Sequence, residues 1–426
     1  MTFLDSLRNY LSPQILVIMC LGFISGVPYG ILMDPLNYWL SEEGIEKSTI
    51  GLLSLVFLIY SLKVLWAPLV DRLKVPIFNI FGQRKSWLFL SQSITGLIIV
   101  LISFVGPKES LNIFVYLILA IGFFSATQDI CADALRIELV EKRELGEASA
   151  VYVIGWRIGA ILLSGVATFY LADIYGWQFA YRLIGIIVIF LSFLFLIFLK
   201  EPIREIRPPK DLFNEPFEWF KDSFLAPLLD LYLRYKNHLL LLLLLIFTYR
   251  LSDMFLGPMA MPFYRETGFT KIEVAEITNF YGLIMTILGG LFAGASVLRY
   301  GLSKNLVAGA ILTPLTNLPF IYLNMIGHDV NFLVVTITLD NFTQGFVNVI
   351  GVTILGTIVS KSFTATQFAL LVALVSIPPR IISGGSGIIV DSMGFHEFFI
   401  ICALLGIPAI IFSMMAYKFR QELGFE

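Results

Sequence analysis

Three polar side chains interrupt a long apolar stretch in the first third of the chain. The run IFVYLILAIG is followed by FFSATQDICADAL, which contains Gln128, Asp129 and Asp133. A carboxylate at the centre of a bilayer helix costs roughly 2.5–3.5 kcal/mol on insertion scales, so intramembrane acids point to a functional site. Residues four apart share one face of a helix, and neighbouring carboxylates repel each other, which favours protonation of one of them. The pattern predicts proton coupling at Asp129 and Asp133.

The deeper acid, Asp129, is the first candidate for the proton carrier. Asp133 lies nearer the end of its span and has a second interpretation, in which it pairs with Arg136 or with loop charges. A structural ion pair with Lys63 or Arg157 is the alternative to proton transfer for the whole cluster.

Other polar residues lie inside apolar runs and are candidates for binding a solute. Intramembrane cations suit an anionic solute, and arginine can grip a carboxylate with two parallel hydrogen bonds. An isolated pair of Arg250 with Asp253, three residues apart, is the competing interpretation, as is simple packing for the aromatic residues. The predicted substrate-binding residues are Lys63, Arg157, Arg250, Asp253, Gln128, Asp340, Asn341, Gln344, Tyr29 and Trp156.

The composition identifies the solvent around these residues. Hydrophobic residues make up 58% of the 426 residues and charged residues only 14%, whereas a soluble domain has about 25% charged residues. A helix needs about 20 apolar residues to cross a bilayer, and twelve such runs occur. They are expected at roughly 15–40, 49–70, 86–105, 113–135, 148–172, 179–199, 238–262, 275–297, 306–326, 332–358, 367–390 and 398–417.

The distribution of basic residues predicts the orientation in the membrane. Lysine and arginine are far more frequent in the loops on the side of the two termini than in the opposite loops, which predicts that both termini are cytoplasmic. A charged, proline-containing segment divides the chain into an N-terminal six-helix bundle (1–199), a cytoplasmic linker (200–237) and a C-terminal six-helix bundle (238–426). Asp173 and Gly176 near the end of the fifth span have counterparts in Asp391 and Gly394 near the end of the eleventh. Two related six-helix halves are typical of secondary transporters.

Several other classes of protein are excluded. No nucleophile–base arrangement, phosphate-binding loop or metal-binding histidine motif is found, so we expect no catalytic residues, no metal site and no cofactor. The nearly balanced charge gives no basis for nucleic-acid binding. Each of the three cysteines lies alone in an apolar run, with no spacing for zinc or a disulfide framework. We expect a monomer whose partners are the lipid bilayer, protons and a small-molecule substrate.

The loop after the second span is similar to the signature of the major facilitators, Asp-Arg-x-Gly-Arg-Lys. Here Asp71 and Arg72 are separated by an insertion from Arg84 and Lys85. The resemblance implies a gating loop that holds one conformation through charge contacts, whereas the alternative is a plain cytoplasmic cluster of positive charge. Gln367, which begins the eleventh span beside another loop, is predicted to take part in gating.

Six stretches along the whole chain resemble the AmpG-type permeases of the major facilitator superfamily. They read SGVPYGILMDPLNYWL, IYSLKVLWAPLVDR, SATQDICADAL, GWRIGA, YRLSDMF and KSFTATQFALL. The resemblance implies an all-α polytopic membrane protein with the major facilitator fold, 12 transmembrane helices in two related six-helix halves. It also implies proton-coupled uptake of anhydro-muropeptides, which are anionic amino-sugar–peptide fragments of the cell wall, across the bacterial inner membrane.

The resemblance has departures that bear on the substrate. Asp34 stands where the family usually has a small or polar residue, Arg250 where it often has lysine, and Asp340 where it usually has glutamate. The alternative function is therefore a major facilitator that carries another anionic solute, such as an acyl-CoA, a peptide or a sugar derivative.

Overall fold

A computed structural model describes residues 13–67, 70, 75, 81–140, 145–201, 226–358 and 364–425. Helices dominate these residues, and no strand occurs among them. Asp71 and Arg72, two of the predicted gating residues, lie outside the described residues, as does most of the predicted linker.

Twelve apolar helical runs, named α1 to α12, follow one another along the chain. Eleven of them are long and apolar enough to cross a membrane, and the second, α2, is a shorter apolar helix. Their bounds are Pro13–Glu42, Lys47–Leu62, Gln83–Val105, Leu111–Arg136, Val151–Tyr175, Trp177–Phe198, Leu228–Thr267, Lys271–Val297, Leu302–Ile326, Val330–Ile358, Leu371–Met393 and Phe395–Lys418. The all-α polytopic architecture predicted from the sequence is confirmed, with α2 ending earlier than expected.

The run α7 is too long to be a single crossing. Forty residues make a helix of about 60 Å, twice the thickness of the hydrocarbon layer. A tight turn at Lys236–His238 separates the short helix Ala226–Tyr235 from the rest. Arg234 of this short helix donates to the carbonyl oxygen of Ile358 at 2.8 Å. This contact satisfies one of the carbonyl groups that the end of α10 leaves without a partner.

The chain forms two compact units that contain the same kinds of helix pairs. The first consists mainly of α1 to α6 and also includes the segment 261–280, where α7 ends and α8 begins. Within it α3 packs against α4 and α6. In the second unit α9 packs against α10 and α12. The division at 199 and 238 stays a prediction about domains, since the contacts of 261–280 belong to the first unit.

Glycines with positive φ mark equivalent helix starts in the two halves. Gly82 (φ 108°) precedes α3 and Gly301 (φ 83°) precedes α9. Gly176 (φ 85°) and Gly394 (φ 88°) precede α6 and α12. Left-handed backbone of this kind strongly favours glycine because other side chains would clash. The weak sequence repeat thus corresponds to a repeat in backbone geometry.

Glycines also allow α1 and α5 to touch along their length. A Cβ atom at Gly22, Gly26 or Gly30 would overlap the backbone of α5, and one at Gly155 or Gly159 would overlap the backbone of α1. Small residues repeated every four positions permit such contact between transmembrane helices. The close approach expected from this spacing is therefore present.

We predict that Gly26→Ala destabilises the protein by about 1–3 kcal/mol, the usual cost of overpacking. The added methyl group would meet the backbone of Trp156 and Ala160. Gly257→Ala is the matched control, because a Cβ there meets nothing within 4 Å. Thermal unfolding in detergent should show a lower midpoint for Gly26→Ala only. Equal midpoints would contradict the close packing of α1 on α5.

Candidate functional site

A lysine joins the two acids of the SATQDICADAL stretch. The Nζ atom of Lys63 lies 2.8 Å from Oδ2 of Asp129 and 3.0 Å from Oδ2 of Asp133. The two carboxylates reach one cation because their four-residue spacing in α4 places them on the same helix face. The side chains are only partly exposed, 20% for Asp129, 26% for Lys63 and 39% for Asp133. We call Lys63, Asp129 and Asp133 the charged cluster.

Arg136 extends the charged cluster on the side of Asp133. Its Nη2 atom lies 3.6 Å from Oδ1 of Asp133, and its guanidinium lies 4.9 Å from the centre of the Tyr152 ring. Both pairings left open by the sequence for the acids, with Lys63 and with Arg136, are therefore formed. In the described part of the chain neither acid contacts Arg157. Asp129 has Lys63 as its ion-pair partner, whereas Asp133 has two cations beside it.

Gln128, next to the charged cluster, contacts a carbonyl that a proline leaves free. Pro28 lies inside α1 and has no N–H, so the carbonyl of Ile24, four residues earlier, lacks its helical partner. Gln128 is fully buried and its Nε2 donates to that oxygen at 2.9 Å. The amide predicted to bind substrate is thus engaged with α1 in this conformation.

Another carbonyl group of α1 that a proline leaves free also accepts a hydrogen bond from a different helix. Pro35 frees the carbonyl of Ile31, where α1 breaks before Asp34. The hydroxyl of Tyr181 from α6 donates to that oxygen at 3.0 Å. A buried carbonyl without a partner costs about 1–3 kcal/mol, so these contacts allow α1 to keep its irregular geometry.

Tyr29 and Trp156, predicted to form part of the substrate site, belong to one aromatic group. The ring centre of Tyr29 lies 4.7 Å from Phe57, 5.0 Å from Tyr60 and 5.4 Å from Trp156. All four residues are half-buried. Tyr60 also donates its hydroxyl to Oγ of Ser125 at 2.7 Å. Tyr60 lies three residues before Lys63, which follows the end of α2, so part of the aromatic group is close in sequence to the lysine.

Arg157 stands without a partner among the described residues. It is half-buried in α5, and none of their acids or hydrogen-bonding groups contacts it. The ten residues that follow, Ile158–Ala167, form a π-helix. Such wide turns are frequently found at functional sites, and no sequence pattern predicted this one. A partly accessible guanidinium beside irregular helix is suited to holding an anion.

The predicted gating loop is anchored at the start of α3. Arg84 is 4% exposed and its Nη2 lies 3.2 Å from Oε1 of Glu138. The carboxylate of Glu201 accepts from the backbone N–H groups of Arg84 and Lys85, at 3.1 and 3.0 Å. It thereby satisfies donors that the start of α3 leaves free. Gln367 lies in the helix Thr364–Ser383, but its side chain is outside the described part.

The candidate residues of the second unit form separate contacts. A break in α7 falls at Arg250, between the helices Leu239–Tyr249 and Leu251–Thr267. Arg250 and Asp253 do not form the isolated ion pair that their spacing allowed, since Nε of Arg250 and Oδ2 of Asp253 are buried without hydrogen-bond partners. A cavity of about 160 Å³ adjoins Arg250 and Tyr249.

On α10, Asp340 and Gln344 contact each other, whereas Asn341 contacts another helix. Gln344 donates through Nε2 to Oδ2 of Asp340 at 2.9 Å. Asn341 accepts from the hydroxyl of Thr286 on α8 at 3.2 Å and fills the space beside Gly282. In this conformation Asn341 contributes to packing, whereas Asp340 and Gln344 form a polar pair.

Contacts missed by sequence reasoning tie the segment 261–280 to α1 and α2. Lys47 lies 2.7 Å from Glu266, and Lys271 lies 3.1 Å from Glu42. The hydroxyl of Tyr38 also donates to the backbone oxygen of Phe269 at 2.9 Å. In the sequence, Lys47 and Lys271 could be recognised only as rare cations in the loops opposite the termini. Their acidic partners are more than 200 residues away, so the sequence could not identify them. We call these contacts the outer latch.

No group of three or more histidine, cysteine, aspartate or glutamate residues able to hold a metal is found in the described ranges. The polar sites of the first unit are instead ion pairs and hydrogen bonds between helices. The fold and these sites define a membrane transporter.

Comparison with known proteins supports this class and narrows it. The profile of the Major Facilitator Superfamily matches residues 18–259 and 242–423. The Putative transporter AmpG 4 of Rickettsia conorii (strain ATCC VR-613 / Malish 7) is 36% identical over 399 residues, covering 93% of this chain and 95% of the relative. The Anhydromuropeptide permease of Escherichia coli (strain K12) is 32% identical over 421 residues, covering 98% of this chain and 82% of the relative. The chain belongs to the AmpG family of the major facilitator superfamily.

Solved structures agree on the fold. A bacterial homologue of the human lysosomal transporter Spinster, in an inward-facing and unoccupied conformation, matches with a TM-score of 0.70 at 14% identity over 97% of this chain and 98% of its own. A POT family transporter in complex with 5-aminolevulinic acid matches with a TM-score of 0.69 at 13% identity, covering 96% of each chain. The protein is therefore a multi-pass membrane transporter of the major facilitator type and not an enzyme.

Proposed function

We propose that the protein takes up anhydro-muropeptides across the bacterial inner membrane, driven by protons, through alternating access. The observation behind this proposal is the charged cluster, in which one lysine holds two carboxylates inside an apolar bundle. The similarity to a relative named Anhydromuropeptide permease supports the choice of substrate. The distribution of lysine and arginine supports a cytoplasmic location of both termini.

In the proposed cycle, a proton from outside binds Asp129 and weakens its contact with Lys63. Lys63 then relies on Asp133, which Arg136 also contacts. The change alters the position of α4 relative to α2. Because Gln128 links α4 to the kink of α1, the same change reaches α1. Return of the proton to the cytoplasm restores the pair between Lys63 and Asp129.

The substrate is proposed to bind through its carboxylates and its sugar. Each unit is proposed to contribute a candidate cation of its own, Arg157 in the first unit and Arg250, at the break in α7, in the second. The aromatic group around Tyr29 offers a flat apolar surface of the kind that packs against a sugar ring.

Uptake of labelled anhydro-muropeptide into proteoliposomes tests the proposal. We expect accumulation when the outside is acidic, and only equilibration when an ionophore collapses the gradient. Unlabelled acyl-CoA, peptides and sugar derivatives serve as competitors. Uptake of one of these solutes in labelled form, without uptake of the muropeptide, would replace the substrate. Accumulation that does not depend on the gradient would exclude proton coupling.

A further inference from the structure

We propose that Asp340, in the core of the second unit, is a second proton-binding site, with Asp253 as its electrostatic neighbour. The charged cluster of the first unit contains lysine and arginine beside its acids. Two buried acids of the second unit have no such partner: among the described residues, no lysine, arginine or histidine lies within ion-pair distance of Asp340 or Asp253. This difference is the starting point of the inference.

The surroundings of Asp340 are polar but uncharged. Asp340 is 7% exposed, and its contacts are the amide of Gln344 and the hydroxyl of Thr316. Buried charges are normally paired, because an unpaired ion in a dry environment costs several kcal/mol, and a protonated acid avoids that cost. A proton on the carboxyl oxygen that does not accept from Gln344 would leave the existing hydrogen bond in place.

Asp253 adds a second, independent observation. Its Oδ2 is fully buried without a hydrogen-bond partner, and Asp253 lies near enough to Asp340 for their charges to repel. The other titratable or charged groups that face Asp253 are Arg250, Tyr249 and Cys402. Only Arg250 is a cation, and it does not reach ion-pair distance. One proton held at Asp340 removes the repulsion between the two acids.

The neighbouring network keeps these acids in place. Asn317 is 1% exposed and donates to the hydroxyl of Ser252 at 2.8 Å, and Ser252 donates to the backbone oxygen of Cys402 at 2.7 Å. These bonds connect α7, α9 and α12 directly beside Asp253. The pair therefore has a hydrogen-bonded polar support, whereas Oδ2 of Asp253 has no hydrogen-bond partner.

The position of Arg250 links proton binding to the substrate, a step that rests on the proposed function. A substrate carboxylate bound at Arg250 would add negative charge near Asp253 and engage the one nearby cation. Both effects favour a proton on Asp340. Anion and proton would then bind the second unit together, which is the requirement for symport.

Infrared difference spectroscopy of the purified protein during a pH titration tests the site without any transport. We expect the carbonyl band of a protonated carboxylic acid, still present in Asp129→Asn and lost in Asp129→Asn/Asp340→Asn. Asp340→Glu keeps the acid and should shift the band. Asp391→Asn, which alters an exposed acid, should leave it unchanged. A band that survives unchanged in Asp340→Asn and in Asp340→Glu would overturn the proposal.

In vesicles that transport, Asp340→Asn should reduce the number of protons moved per substrate by one. An unchanged proton-to-substrate ratio would exclude Asp340 from coupling. If the wild-type protein moved no tested solute, the proposed function would fail, whereas the infrared band would still decide whether Asp340 binds a proton.

Discussion

Replacing Asp129 with asparagine is expected to lower strongly the accumulation of substrate against its gradient while preserving exchange between labelled and unlabelled substrate. Asparagine has nearly the size of aspartate and resembles its protonated form, because it lacks the negative charge. Lys63 would lose the partner 2.8 Å away and keep Asp133 at 3.0 Å. The cycle would proceed with substrate bound but without loading and releasing a proton at this position.

The measurement compares two assays on the same proteoliposomes. Accumulation under a proton gradient should fall well below the wild-type level, to what the proton proposed at Asp340 alone can drive, and counterflow exchange should remain. Asp173→Asn, at an exposed acid near the end of α5, is the control and should retain both activities. Accumulation by Asp129→Asn at the wild-type level would show that Asp129 does not carry the coupling proton.

Sequence patterns located the helices well because hydrophobicity and length are local properties. Every predicted span corresponds to an apolar helix, and the exception in length is α2, where the apolar run continues beyond Leu62 but the regular helix does not. Hydropathy averaged along the sequence identifies apolar segments. It cannot show that the regular helix ends at Leu62, or that Lys63 follows in a tighter turn that changes the direction of its side chain.

Hydrogen-bond partners from distant parts of the chain were harder to predict, even where the sequence identified one of the two groups. Pro28 and Pro35 predict that the carbonyls of Ile24 and Ile31 lack helical partners. Nothing in the sequence identifies Gln128 and Tyr181 as the donors, because they come from other helices. The same holds for the outer latch, in which Lys47 and Lys271 meet acids from distant parts of the chain.

The roles of the acids also depend on ion-pair partners that cannot be identified from residue spacing alone. Asp129 and Asp133 were predicted to share a helix face, and their common contact with Lys63 agrees with that geometry. Arg250 and Asp253 have a spacing equally suited to a pair, yet no ion pair forms because α7 breaks at Arg250. The i, i+3 rule applies to a continuous helix, and a break changes the relative directions of the side chains.

The second large effect is expected at Arg157, whose replacement by glutamine should weaken substrate binding. A hydrogen bond to a charged group contributes about 1.5–3 kcal/mol, which corresponds to a roughly ten- to hundredfold higher concentration for half-maximal uptake. Stability should change little, because no described residue forms an ion pair or hydrogen bond with Arg157. Uptake kinetics and thermal unfolding of the same variant separate the two effects.

Arg157→Lys is the matched variant, because it keeps the charge and removes the planar fork that grips a carboxylate. Its half-saturation should fall between those of the wild type and Arg157→Gln. If the lysine variant equalled the wild type, a general positive potential would suffice, and if neither variant changed the half-saturation, Arg157 would not contact the anion. The graded result is expected because Arg157 has no acid beside it among the described residues, whereas Lys63 already holds two.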